Sequence, residues 1–169
     1  IVTDDSVVSG PADIAEYISV KDDKANLETG DLLAIDGHDL QNLAKKSPGI
    51  PYDSKVIGVV STKPGIVAGG GSVEDDHNND VIMALVGRVP LKVSTEGGEI
   101  KPGDRLTSSS IPGVAMKATN TGMTIGIAFE AFDGSNALSE GTIEVETEQH
   151  IIEGTEHVQR KILKDNRYH

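Results

Sequence analysis

The chain of 169 residues carries a formal net charge of −12 and no cysteine. A field of that sign repels nucleic acid and anionic membranes, so a nucleic-acid partner is discounted, and without cysteine neither disulfides nor thiolate metal sites can hold the fold together. No apolar run approaches the ~20 residues of a membrane-spanning helix, and no signal peptide is visible, so membrane insertion is not expected.

The length fits one domain or a compact pair of lobes. Apolar residues make up 37% and aromatics only 3%, without Trp, so stability must come from close aliphatic packing or from burial against another subunit. With 19 Gly, 7 Pro and many Val, Ile and Thr, the composition favours a mainly β class.

Ile1 to Val8, with Val2, Val7 and Val8 as apolar points, reads as a strand or the end of an upstream stalk. The chain opens without Met, which predicts a processed product or a piece of a longer protein. Pro11 restricts Gly10 to extended geometry and begins a new segment. Asp13 to Tyr17 reads as a helical turn or as the start of a strand, and Lys21 to Asn26 as a polar loop. From Leu27 to Gly37, a Gly30-Asp31 turn leads into a short apolar strand that stops at Asp36-Gly37. His38 to Lys46 fits a helical turn with Leu40 and Leu43 inward. Val56-Ile57-Gly58-Val59-Val60 reads as a buried strand whose central Gly predicts a bulge or a close backbone approach.

Lys63 to Asp80 reads as loop, with Gly69-Gly70-Gly71 as a flexible turn. Val81 to Val86 and Val89 to Val93 read as two strands separated by Gly87-Arg88, and Glu96-Gly97-Gly98-Glu99 as a hairpin-type turn. Val114 to Ala118 and Thr124 to Phe129 are further strands. In Thr142 to Thr147, Ile143 and Val145 alternate with Glu144 and Glu146, the pattern of a half-exposed strand. In the tail, His150 to His169, Thr155 fits the cap of a short helix with Val158, Ile162 and Leu163 on one face. Its last ten residues hold four bases and one acid. Such a tail either docks on an acidic body, its own or a neighbour's, or is solvated.

A near-repeat runs through the chain. Leu27-Glu28-Thr29-Gly30-Asp31 matches Ile100-Lys101-Pro102-Gly103-Asp104, and Val56-Ile57-Gly58-Val59-Val60 matches Thr124-Ile125-Gly126-Ile127-Ala128. The two glycines of each copy are 28 and 23 residues apart. We expect two related β lobes, spanning 27–60 and 100–128, each with a Gly-Asp turn and a glycine-broken core strand.

These residues also carry a resemblance. Ala12-Asp13-Ile14-Ala15-Glu16-Tyr17, Gly30-Asp31, Val56 to Ser61, the run Gly87-Arg88-Val89-Pro90-Leu91-Lys92-Val93 and Ile100 to Thr107 resemble the self-cleaving C-terminal intramolecular chaperone (IMC-type peptidase) domains of phage appendage, tail-spike and bacterial surface-fibre proteins. The resemblance covers roughly residues 10 to 146. It implies a trimerising domain at a fibre end that guides assembly and then cuts its own chain before the Asp. Carried onto this sequence, the scissile bond is Ala12–Asp13 and the acting carboxylates are Asp13 and Glu16. Ile14 stands where the family usually has an aromatic residue, and the basic tail has no counterpart.

Such a cut needs a nucleophile, a proton donor for the leaving amine and an oxyanion donor. The Asp13 carboxylate reaches the preceding carbonyl through a six-membered ring, or activates a water beside it. Glu16 shares its face if the segment is a helical turn; backbone N–H groups near Gly10-Pro11, or Arg88, are the candidate oxyanion donors. The bland alternative is a capping box, with Asp13 at the N-cap and Glu16 at N3.

Other groupings are weaker. Asp75, Asp76 and Asp80 lie in an acidic loop that lacks the central Gly and distal Glu of an EF-hand. His38, His77, His150, His157 and His169 show no zinc spacing. Gly69 to Gly71 lacks the Lys-Ser/Thr of a phosphate loop, Ser108-Ser109-Ser110 reads as a loop, and no cofactor is expected. Only Tyr17, Tyr52 and Tyr168 offer a stacking platform for a sugar.

The expected organisation is an upstream strand or linker over 1–12, a β-rich chaperone-like domain over 13–149 and a basic tail over 150–169. The expected role is a homo-oligomeric assembly domain, trimer or filament, on a virion or cell surface, with possible self-cleavage. The competing role is a non-catalytic structural subunit of a fibre or filament, held by its N-terminal strand and tail.

Overall fold

The computed structural model describes residues 12–21, 24–37, 44–61, 63–68, 79–135 and 140–152. The readings for residues 1–11, Leu40, Leu43, the acidic loop through Asn78 and the tail beyond Ile152 lie outside them.

Among the described residues the protein is β throughout, apart from one 3-10 turn at Lys24–Asn26. Ten strands form in chain order: β1 (Ala12–Ser19), β2 (Leu32–Ile35), β3 (Ala44–Lys46), β4 (Val56–Val60), β5 (Ile66–Ala68), β6 (Asp80–Ser94), β7 (Arg105–Ser108), β8 (Ala115–Lys117), β9 (Gly122–Ala128) and β10 (Glu140–Ile152). No helix among them is long and apolar enough to cross a membrane, which says nothing of spans made by strands.

The two expected lobes are present, and their likeness reaches individual hydrogen bonds. In the first, Asp31 N donates to Glu28 O (3.0 Å) and Glu28 N to Asp31 Oδ2 (2.8 Å), closing the turn; Gly30 N donates to Val60 O and Val60 N to Asp31 O. In the second, Asp104 N donates to Lys101 O (3.0 Å), Lys101 N to Asp104 Oδ2 (2.8 Å), Gly103 N to Ala128 O and Ala128 N to Asp104 O. Gly30 and Gly103 adopt φ of 89° and 92°, the left-handed region that a side chain resists, which is why glycine stands at both positions. The strands that follow pair alike: Leu33 with Gly58 and Lys46, Leu106 with Gly126 and Lys117.

Extending this register assigns every strand except β5, which pairs with β1 alone. Lobe 1 pairs β1, the first half of β6, β4, β2 and β3 in a circuit, completed by a parallel bridge from Val20 to Ala44. Lobe 2 pairs the second half of β6, β10, β9, β7 and β8, completed by the parallel pair Val93 and Ala115. So β6 closes one lobe and opens the other. The cores correspond too. Ile18, Val20, Leu33, Ala44, Val60, Val81 and Met83 fill lobe 1, and their register equivalents Leu91, Val93, Leu106, Ala115, Ala128, Ile143 and Val145 belong to the second cluster. Leu32, Val56, Val59 and Ala84 of lobe 1 join that second cluster, so aliphatic burial also fastens the lobes together.

Several expectations are corrected. Val81–Val86 and Val89–Val93 are one strand, because Gly87 passes through φ 120° without breaking the pairing on either side. The Glu96 to Glu99 turn is no hairpin: β6 pairs with β10, and β7 with β8 and β9. Ala44–Lys46 is a strand rather than the end of a helical turn, its backbone taken up by β2. Ile66–Ala68, read as loop, pairs with β1. Of the serine run read as loop, Ser108 instead ends β7, accepting from Asp53 N and donating to Ile50 O; Ser109 and Ser110 do follow outside any strand, with Ser109 buried and donating to Val114 O. β10 runs to Ile152, three residues into the stretch read as tail. The glycine in the middle of β4 answers a close approach: a Cβ at position 58 would lie 2.5 Å from Met83 Cγ and 2.8 Å from Ala84 O.

Candidate functional site

The segment Ala12 to Tyr17 is strand. Of the two readings left open by its sequence, the sheet wins because β6 and β5 supply partners on both sides of it. β6 runs antiparallel to it, with Ala12 opposite Arg88, Asp13 opposite Gly87 and Ile14 opposite Val86; β5 runs parallel, with Ile14 beside Ile66. No helix begins here, so Asp13 and Glu16 are not a capping box. Nor are they stacked one turn apart. Side chains three residues apart on a regular strand leave opposite faces, about 10 Å apart along it; between Ile14 and Ala15 the pairing shifts register, with the extra residue, Leu85, on β6 rather than on β1. Asp13 is buried and Glu16 half-buried.

Asp13 is the unusual residue of the pair. It is 3% exposed, and its Oδ2 has no hydrogen-bond partner among the described residues. A buried carboxylate oxygen without a donor costs free energy, so a fold keeps one only under constraint. Its main-chain O accepts from Gly65 N at 3.0 Å, which fixes the backbone just after the Ala12–Asp13 bond. Opposite it, buried Gly87 has no side chain to crowd the carboxyl. Arg88, named from sequence as an oxyanion donor, lies directly across from Ala12 and is exposed.

Asp53, 8% exposed, also keeps an Oδ2 without a hydrogen-bond partner among the described residues, while its Oδ1 accepts from Lys55 N at 2.9 Å; Asp36, Asp31 and Asp104 are held by lysines. Asp36, 2% exposed, takes Lys45 at 3.3 Å and Lys21 at 3.5 Å; burial pushes its carboxyl up, but the two lysines outweigh it and hold it below 3.8. Asp31, 1% exposed, takes Lys46 at 3.3 Å and Lys92 at 2.8 Å, and Lys92 also meets Glu28 at 2.6 Å. For Lys92, burial works downward and the two acids more than reverse it, raising the ammonium above 10.5. Asp104, more open, is likewise lowered: burial works against this, and Lys101 N–H and Lys117 overcome it. Asp80, one of the three acids of the candidate cation loop, accepts from Ser19 Oγ at 2.6 Å; Asp75 and Asp76 are outside the described residues. Among the described residues, no three His, Asp or Glu gather in a way that could hold a metal ion. Tyr52 is occupied as well. Its hydroxyl oxygen accepts from Thr119 N and Asn120 N, both at 2.8 Å, which ties lobe 1 to lobe 2.

Sequence reasoning missed Gly65 and Gly87 as the backbone frame of the site. The signal for Gly87 was present, since a glycine between two β-rich runs marks a kinked strand as well as a break.

No family model matches the chain, and no curated protein matches it. Two solved structures are similar in fold. One is the pre-mature bacteriophage phi29 gene product 12, with a TM-score of 0.51 and 15% identity, covering 81% of this chain and 21% of that one. The other is the bacteriophage phi29 gene product 12 C-terminal fragment, with a TM-score of 0.49 and 15% identity, covering 80% of this chain and 100% of that one. The chain therefore spans about a fifth of the longer gene product 12 chain.

Proposed function

We propose that this chain is an assembly domain of a phage-like or surface fibre protein, and that it cuts itself between Ala12 and Asp13. The fold shared with phi29 gene product 12 supports the phage-like setting. The observation that carries the cut is the buried Asp13 oxygen, without a hydrogen-bond partner among the described residues, beside its own preceding peptide bond. In the proposed reaction an Asp13 Oδ attacks the Ala12 carbonyl carbon, and the C–N bond breaks. The nitrogen takes a proton from water and leaves as the Asp13 α-amine, and the later hydrolysis of the anhydride returns that proton. Water then hydrolyses the acyl anhydride, returning both carboxylates. Asp13 acts alone in this scheme, because the strand sends Glu16 to the other face. Folded over time, a chain extended upstream of Ile1 should split into two pieces whose masses meet at the 12/13 bond. Its Asp13→Ala variant should stay whole. An uncut wild-type chain would overturn the cleavage reading.

The opposite-face placement of Asp13 and Glu16 also supports a second reading. In it the chain is a structural subunit of a fibre, and β1 is simply a sheet strand.

A further inference from the structure

The two lobes match strand for strand apart from β5, which pairs with β1 alone, but the contact that roofs the Gly30 turn of lobe 1 has no counterpart among the described residues of lobe 2. Above the Gly30 turn lies the second half of β6, the opening strand of lobe 2. Lys92 N donates to Gly30 O at 3.0 Å, and Lys92 Nζ reaches Asp31 and Glu28. The packing is close: a Cβ on residue 30 would lie 3.2 Å from Lys92 N and 3.4 Å from Pro90 O. The equivalent Gly103 turn is bare. Gly103, Pro102 and Lys101 are exposed, and among the described residues nothing lies within 4 Å of the Cβ position of residue 103. Next to it, Phe129 is 48% exposed, at the position where lobe 1 has buried Ser61.

The register identifies what would cover this turn. Lys92 pairs with Thr142 as Ser19 pairs with Asp80, so the β1 strand around Ser19 is the lobe 1 equivalent of the segment that docks on Gly30. A two-fold relation between the lobes would lay Ser19 over Gly103 within the same chain. Gly103 is open, so the relation is not closed. An open relation that carries one lobe onto the next leaves complementary ends, here β1 at Ser19, beside the Val20–Ala44 bridge as Lys92 lies beside the Val93–Ala115 pair, and the Gly103 turn of lobe 2. The parallel pairing of β5 stops at Glu16, short of Ser19.

We propose that copies of this chain associate head to tail: β1 at Ser19 of one copy lies on the Gly103 turn of the next, repeating between molecules the Lys92–Gly30 contact made within each. Phe129 is covered in that contact. The proposal names the partner for the assembly reading above but does not depend on cleavage.

The absence of native cysteine makes the test clean. In an Asp13→Ala background, which removes any cut, Ser19→Cys and Lys101→Cys are made as separate chains, and circular dichroism confirms that each keeps its β content. Position 101 is chosen because its equivalent, Glu28, touches Lys92 in lobe 1. Mixed and treated with a short bis-maleimide, the two variants should give a covalent dimer, and neither alone should. Adding Phe129→Asp to the Lys101→Cys chain should drop the dimer to background. The proposal is overturned if the folded mixture stays monomeric, if either variant alone cross-links as well as the mixture, or if a chain carrying both cysteines cross-links internally at high dilution. An Asp13→Ala chain that assembles while the wild type is never cut would sink the cleavage reading alone.

Discussion

The Gly30-Asp31 and Gly103-Asp104 turns share four hydrogen bonds and a lysine from the neighbouring strand, yet they differ in what lies above them. The first is roofed by β6, and its aspartate is 1% exposed between two ammonium groups. The second faces outward, its aspartate 23% exposed with one lysine at 3.1 Å. The local sequence builds the turn, and the next strand in the assembly decides how strongly it is held. Mutations made in matched pairs separate these two contributions.

The largest effect should come from the cores and should be equal in both lobes. Leu33 and Leu106 are both 0% exposed at equivalent positions. Truncating either to Ala should cost ~2–5 kcal/mol in urea unfolding. Costs differing by more than ~2 kcal/mol would break the equivalence of the two cores.

The lysines should differ. Lys92→Met removes a partner from a fully buried aspartate and unties the roof, at about 1–3 kcal/mol. Lys117→Met loosens a half-open pair, at ~0.5–1 kcal/mol. Their pH dependence follows from the directions of shift. Asp36 and Asp104 are depressed, so their contribution is complete above the ordinary carboxylate value of 3.8 and is lost as pH falls through their lower folded values. Lys92 is raised, so its contribution is complete below 10.5 and is lost as pH rises past its folded value. Thermal melts of the wild type and Lys92→Met should therefore converge at strongly alkaline pH; a constant gap would contradict the role given to Lys92.

The smallest effect is at the glycines. In the dissociated chain, Gly103→Ala should cost ~1 kcal/mol, the left-handed penalty alone. Gly30→Ala should cost more, since its methyl also meets Lys92 N. Equal costs would mean that the roof over lobe 1 is loose.

Much of this architecture is legible in the residues. Gly30-Asp31 and Gly103-Asp104 announce themselves because the turn needs a positive φ and a carboxylate that caps its own loop, both local demands. The Gly58 and Gly126 strands are legible for a similar reason, being short β-branched runs between turn residues. The long-range pairing is not legible. Nothing near Glu96 says that β6 pairs with β10 across 46 or more residues of chain rather than folding back on β7. Asp13-x-x-Glu16 fits a helix cap as well as a strand, and only the partners β5 and β6 decide between them. The burial of Asp13 likewise depends on Gly65 and Gly87, which its own neighbours in sequence do not reveal.

The most direct test of the functional account compares intact masses over time for upstream-extended wild type, Asp13→Asn and Glu16→Gln. The account predicts cleavage at the 12/13 bond in wild type, none in Asp13→Asn, and a near wild-type rate in Glu16→Gln, whose side chain sits on the other face of β1. If Glu16→Gln is as inert as Asp13→Asn, the two carboxylates work together in a conformation other than this strand. If no chain is cut, the domain is structural alone.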